Sequence, residues 1–196
     1  PDFRLRVRNA IIRQQALDRI MIGFNGTSAA AASNRGTNPL LQDVNIGWLQ
    51  KYRTHAAARV LSEVVADSDA VTIGEGGDYA NLDALVFDAV NNLIDPWFRE
   101  STDLVAIMGR QIMSQKRVGG LGAVRVPFMP DGKILITSME NLSLYWQNGS
   151  RRRHIVDEPK RKRVENYESS NDAYVVEDYG FGCLIENITF DVPEAP

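Results

Sequence analysis

RVENYESSNDAYVVEDYGFGCLIENI, residues 163–188, is aromatic-rich, acidic and free of lysine and arginine after its first position. Tyr, Val and Ile at this density favour extended backbone. The six acids Glu165, Glu168, Asp172, Glu177, Asp178 and Glu186 must each reach water or a cation, because an unpaired buried carboxylate is costly. The chain supplies those cations itself.

Working outward, residues 116–163 hold eleven basic side chains against four acidic ones, whereas residues 164–196 hold eight acids and no base. The first 115 residues are nearly balanced, and the whole chain has a formal charge of −3. Adjacent blocks of opposite sign either fold against each other or pair between neighbouring copies. Both arrangements are open at this point.

With 196 residues and 44% apolar content the chain can bury a substantial core, as one large domain or two small ones. No apolar run reaches the roughly 18 residues of a membrane span, and Pro1 opens no signal-peptide pattern. Pro1 also points to a trimmed N-terminus. The single cysteine, Cys183, rules out an intrachain disulfide and suits a reducing compartment, so a soluble intracellular protein is expected.

In residues 3–22, Phe3, Val7, Ala10, Ile11, Leu17, Ile20 and Met21 recur at helical spacing with arginines between them, which predicts a long amphipathic helix closed by Gly23, Asn25 and Gly26. Residues 29–37 read as a loop. Asn38 and Pro39 have the form of an N-cap and first helical residue, predicting a second helix with Leu41, Val44, Trp48 and Tyr52 on one face, weakened by Gly47. After a β-prone stretch at 60–73, Leu82, Leu85, Val86, Ala89, Leu93 and Ile94 define a third helix, capped by Asn81 and stopped by Pro96. The apolar run 104–108 predicts a strand buried on both faces, and 124–128 and 134–137 predict two more joined by a turn at Pro130-Asp131-Gly132. Gly119, Gly120 and Gly122 mark a tight connection or the bridge over a longer loop. Asn148-Gly149 predicts a hairpin turn between strands at 142–147 and 151–156.

Catalysis needs a cluster of reactive side chains, and none is visible. His55 lies among alanines and His154 among arginines, neither with metal-ligand or acid–base spacing. Cys183 has only acids nearby, which disfavour a thiolate. The Gly74-Glu75-Gly76-Gly77-Asp78 loop could cradle phosphate ahead of the third helix, but it lacks a P-loop's Gly-Lys-Ser/Thr and carries two acids. The runs Arg151-Arg152-Arg153 and Lys160-Arg161-Lys162-Arg163 could contact a polyanion, yet acids lie between and after them and no recognition helix carries them. What remains is interaction surface: Trp48, Tyr52, Trp97, Phe98, Tyr145, Trp146, Tyr167, Tyr174 and Tyr179 stand beside charges, a mixture found at interfaces as well as in cores.

Several long blocks carry a resemblance. LRVRNAII (5–12), GFNG (23–26), NPLLQDV (38–44) with GWLQKYR (47–53), GGDYA (76–80), SQKR (114–117), RVENYE (163–168) and YVVEDY (174–179) together resemble the major capsid protein of P2-type (peduovirus) contractile-tailed phages and prophages. The resemblance spans nearly the whole chain. It implies an α+β fold of the Hong Kong 97-like capsid type: a peripheral domain of a spine helix and long strands, and an axial α/β domain. The implied division is 1–81 peripheral with the spine helix, 82–147 axial, 148–180 returning peripheral strands, and 181–196 a final axial strand and tail. The opening stretch then divides after Tyr179-Gly180.

The resemblance also implies function. Copies would form hexamers and pentamers closing an icosahedral shell around double-stranded DNA, with a scaffolding protein, a maturation protease and a portal as partners, and no catalytic residue, cofactor, metal or membrane contact. Assembly would take place in the bacterial host cytoplasm. The charged residues expected at self-assembly contacts are Arg151, Arg152, Arg153, Lys160, Arg161, Glu165, Glu168, Glu177 and Asp178. Family members carry an arm, a scaffold-bound region and an extended loop before the spine helix, a segment between the positions of Gln111 and Ile112, and a longer stretch near 67–71. The alternatives are an α/β enzyme or binding protein using Gly74 to Asp78 for a phosphorylated ligand, and a nucleic-acid-binding module.

Overall fold

The computed structural model describes residues 2–113 and 115–190. It is a mixed helix-and-strand structure centred on a six-stranded sheet with order β1-β11-β6-β3-β5-β4. These strands are β1 (Val60–Leu61), β3 (Val105–Met108), β4 (Arg117–Val118), β5 (Leu121–Arg125), β6 (Ile134–Thr137) and β11 (Cys183–Ile185). The central pairings are β11 and β3 antiparallel to β6, and β3 parallel to β5.

The period-2 alternation of strands explains why these segments are continuously apolar. Ala106, Met108, Ile134, Ile136, Cys183 and Ile185 point to one face, where α3 (Leu82–Leu93) supplies Leu85, Val86 and Ala89. Ile107, Leu135 and Leu184 point to the other, against Leu49 and Tyr52 of α2 (Trp48–His55) and Phe24 of α1 (Phe3–Asn25). Asn81 caps α3 as its sequence indicates, its side chain accepting from the Ala84 amide at 2.9 Å.

Helix α1 continues through Gly23 to Asn25, beyond the stop that the glycines suggest, because Asn25 is held by its amide donating to the carbonyls of Met21 and Phe128. The second helix does not begin at Pro39. Leu41 adopts φ 58°, which breaks any helix there, and α2 starts at Trp48 behind Gly47. Residues 26–47 instead form a loop closed at its neck by Gly47 N–H donating to Gly26 O and Thr27 N–H to Gln42 O. A Cβ on Gly47 would run into the backbone of Ile22 and Gly23, so this glycine serves close approach of two chain segments.

One further expectation changes. The strand predicted at 124–128 is Leu121–Arg125, and Phe128 has φ 62°. A turn at Asp131-Gly132 lies on the connection from β5 to β6, as expected, and β3 lies between the two strands in the sheet. Gly119 and Gly120, both at positive φ, form the two-residue turn of the β4–β5 hairpin.

The Asn148-Gly149 pair is not a hairpin turn either. Strand β7 (Leu142–Trp146) pairs with β10 (Asp172–Val176), and β8 (Arg152–Glu158) with β9 (Arg163–Ser169). The two pairs form one antiparallel ribbon interrupted by a bulge, five residues (147–151) facing two (170–171). The reversal occurs at Pro159–Arg161, followed by Lys162 at φ 49°. Finally, β12 (Ile188–Phe190) runs parallel to β2 (Val71–Ile73) beside α3's face of the sheet.

Candidate functional site

Among the described residues, no His, Cys, Asp and Glu side chains form a group of three able to hold a metal. The Gly74–Asp78 loop is closed on itself. Gly74 N–H donates to Tyr79 O, Gly77 N–H donates to Gly74 O, and the Asp78 carboxylate accepts from the Thr72 amide at 2.8 Å and its hydroxyl at 2.7 Å. These bonds hold the Asp78 carboxyl below its ordinary range. A loop with the amides of Gly74, Gly77 and Asp78 bonded internally and a carboxylate within it is a structural turn rather than an anion cradle. Cys183 is fully buried, and burial pushes its thiol up to about 12, so it stays protonated.

The surface that stands out is the junction of α1 with the ribbon. Four contacts join segments far apart in sequence, three of them across more than 150 positions and one across 127. Arg19 pairs with Asp172 at 3.1 Å, Gln15 donates to Glu168 at 2.9 Å, the Tyr174 hydroxyl donates to Arg19 O at 2.8 Å, and the Asn45 side chain donates to Asp172 O at 2.7 Å. Trp48 packs edge-on against Phe24 and Tyr174 beneath them. Between helix and ribbon lies an open groove of about 620 Å³, with Ile12, Ala16 and Ile22 on its helical wall and Arg151, Arg152 and Arg153 on the ribbon.

The charged residues anticipated at contacts fall into distinct environments. Arg153 pairs across the ribbon with Glu168 at 3.2 Å and donates to Asn166, and Arg163 pairs with Glu165. The Glu168 carboxyl is lowered by hydrogen bonds from Gln15 and Asn166 and then by Arg153 and Arg151. Glu177 accepts from the Tyr145 hydroxyl at 2.8 Å, and Asp178 accepts from Gly180 N–H at 2.7 Å, holding a turn. Lys160 and Arg161 sit exposed in the ribbon's reversal, and Arg151 lies over the Trp146 ring at 5.5 Å.

Of the aromatics, Trp48, Tyr52 and Tyr174 are core. Trp97, Tyr145, Trp146 and Tyr167 are exposed, Trp97 at 89%. The exposed half of α1 adds Phe3, Leu5, Val7, Ile11 and Ile12. Apolar side chains exposed in such number on one element mark a surface meant to be covered.

The sequence marks Glu186 as an acid in need of a cation but not its partners, and it gives no signal for Asn141. Glu186 is 7% exposed and takes Arg53 in a two-pronged bond (Nε to Oε2 3.0 Å, Nη2 to Oε1 2.5 Å) together with Lys133 at 2.5 Å. Asn141, also buried, donates to Thr137 Oγ1 and Asp178 O and accepts from Asp178 N–H. Both tie together segments that only the tertiary fold brings near.

The family model for the phage major capsid protein, P2 family, matches residues 1–115 and 110–188. The chain belongs to this family. It is 53% identical over 216 residues to the "Capsid proteins" of Escherichia phage P2, covering 95% of this chain and 60% of that relative. It is 43% identical over 224 residues to the major capsid protein of Serratia phage KSP20, covering 99% of this chain and 64% of that relative. In structure it is similar, with a TM-score of 0.91 and 59% identity, to a chain of the satellite phage P4 procapsid including the size determination (Sid) protein, over 96% of this chain and 68% of that one.

The α+β capsid fold implied by the sequence resemblance is therefore the fold observed. This chain spans about three fifths of the length of its curated relatives. Both alignments are longer than the 196 residues of this chain, so the relatives carry segments that it lacks. The two stretches matched by the family model meet at 110–115, around Gln111 and Ile112. The SQKR block begins at Ser114, which lies outside the described residues, as does the tail from Asp191.

Proposed function

We propose that this chain is the structural subunit of an icosahedral phage capsid, copies of it forming hexamers and pentamers that enclose double-stranded DNA. The observation that carries the reading is the 0.91 TM-score at 59% identity to a chain of a procapsid. The subunit acts by shape and contact, not by catalysis. A scaffolding protein, a maturation protease and a portal act with it during assembly in the host cytoplasm, and packaged DNA touches it without sequence preference.

In this reading residues 1–81 with α1 are peripheral and 82–147 axial. Residues 148–180 return as peripheral strands, and 181–196 close the axial domain. The blocks of opposite charge act in part within the subunit, through pairs such as Arg153–Glu168 and Lys133–Glu186. Those left unpaired, among them Arg151, Arg152, Lys160 and Arg161, meet neighbouring copies. Weak contacts suffice, because closure and multivalency multiply small interface energies.

Sedimentation velocity on the triple charge reversal Arg151→Glu, Arg152→Glu, Arg153→Glu tests this reading. Loss of capsomers with an unchanged circular dichroism spectrum is expected. Unchanged assembly contradicts the charge contacts. The phosphate-ligand alternative is addressed by thermal shift, where a ligand at 100 times its Kd would add about 2.7 kcal/mol. No stabilisation by nucleotides or phosphosugars is expected.

A further inference from the structure

Asparagine is a thermolabile residue, and most so before glycine, which has no side chain to shield its nitrogen from the asparagine amide carbon. The sequence contains two such pairs, Asn25-Gly26 and Asn148-Gly149. The fold treats them in opposite ways. Asn25 is 9% exposed, its side-chain amide donates to Met21 O at 3.0 Å and Phe128 O at 2.7 Å, and Gly26 N–H donates to Ile22 O at 2.7 Å. Both reacting groups of that pair are tied down.

Asn148 and Gly149 are exposed, and neither the Asn148 side chain nor the Gly149 N–H makes a hydrogen bond among the described residues. They are the central residues of a turn closed by Ser150 N–H donating to Gln147 O at 3.1 Å, with Gly149 at φ 75°. Apart from the two chain neighbours, nothing lies within 4 Å of where a Gly149 Cβ would stand. The pair borders an open cavity of about 440 Å³, shared with Arg152 and Asn171, through which water reaches it. Its flanks are anchored: Gln147 N–H donates to Asn171 O at 3.0 Å, and Asn171 N–H donates to Ser150 Oγ at 3.1 Å. Between those anchors the unpaired residues of the bulge can absorb a lengthened backbone without disturbing the strands.

We infer that Asn148 is a site of spontaneous modification, its side-chain amide hydrolysing through a cyclic imide formed with Gly149. The Gly149 nitrogen gives up its proton and bonds to Asn148 Cγ, while the side-chain nitrogen takes up a proton and leaves as ammonia. Water then opens the ring. Attack at Cγ gives aspartate, and attack at the main-chain carbonyl gives isoaspartate, whose backbone runs through Cβ. Water is the sole co-reactant, and no electron is gained or lost. Either product puts a carboxylate in the cavity beside Arg152, so the arginine run 151–153 acquires an acid as the chain ages. The inference stands apart from the shell reading above.

Ageing the full folded chain in mildly alkaline buffer, then digesting it with trypsin for fragment-ion mass spectrometry, reads both pairs at once. Peptide 134–151 carries Asn148 and peptide 20–35 carries Asn25. Asn148 should convert about tenfold or more faster than Asn25, whose reaction waits for local opening of the end of α1. In the urea-unfolded chain the two should convert at comparable rates, because each precedes a glycine. Electron-transfer fragmentation should find aspartate and isoaspartate together at position 148. Native isoelectric focusing of the aged chain should show a more acidic species that is missing in Asn148→Gln, whose longer side chain closes the ring far more slowly.

Equal rates at Asn25 and Asn148 in the folded chain, or an Asn148 that stays intact there while converting in urea, overturns the inference. Aspartate without isoaspartate also overturns it, since direct hydrolysis of the amide would bypass the ring. An acidic species that persists in Asn148→Gln would place the new charge elsewhere and overturn it as well.

Discussion

Glu186 sits where three segments meet, with 9% of its side chain exposed and both Arg53 and Lys133 upon it. Burial alone would raise its carboxyl, but hydrogen bonds from Arg53 and Lys133, together with their charges, outweigh it and leave the group below the ordinary 4.5. A depressed carboxyl stabilises the fold above its unfolded value and loses that contribution as pH falls through the folded one. Urea denaturation should therefore show stability declining below about pH 4.5, and this part of the decline should be missing in Glu186→Gln. Arg53→Ala leaves the carboxylate with Lys133 alone and should cost about 2 kcal/mol at neutral pH, in the range for losing a hydrogen bond to a charged group. A loss under 1 kcal/mol would show that the triad is not the fastener described. Gly23→Ala is a purely steric test. A Cβ there overlaps the Trp48 ring, so despite alanine's better helix propensity a net loss of about 1–3 kcal/mol is expected in the same assay.

At the scale of elements, legibility followed the range of the interaction that builds each one. Helix α3 has its cap, its apolar spacing and its stopping proline within fifteen residues, and all of them were readable. The central strands announced themselves as apolar runs because both faces are covered. The start of α2 was misread because Asn38-Pro39 imitates a helix start, while the Gly26–Gly47 neck that forbids one is a contact between distant segments. The Asn148-Gly149 pair keeps its local preference, with Gly149 at φ 75°, but strand pairing with 163–176 uses that turn as a bulge. The charged residues of the candidate surface were legible as a list. Their sorting into engaged and free groups depends on cross-strand register, and the Arg19–Asp172 junction on contact across 153 positions.

The ribbon's reversal yields its own prediction. Lys162 occupies the left-handed region, which costs a residue with a Cβ roughly 1 kcal/mol. Lys162→Gly should relieve that strain and slow hydrogen exchange of the Arg163–Ser169 amides several-fold. Faster exchange would mean that the lysine side chain, not the backbone, holds the turn.

For the whole molecule, the proposed shell role draws on the exposed apolar side chains of α1 and on the exposed charge of the β8–β9 ribbon. Exposed charge pairs are screened by salt. Association of the chain should therefore weaken between about 50 mM and 500 mM NaCl, while the melting temperature of the monomer, held by the apolar sheet core, stays nearly constant. Association that strengthens with salt would assign the contacts to the apolar residues of α1 alone.

The central claim is that this fold exists to build a closed container. Negative-stain electron microscopy of the chain co-expressed with the proposed scaffolding partner tests it most directly: closed shells of uniform diameter are expected, and a field of separate subunits or shapeless aggregate from properly folded protein would contradict it.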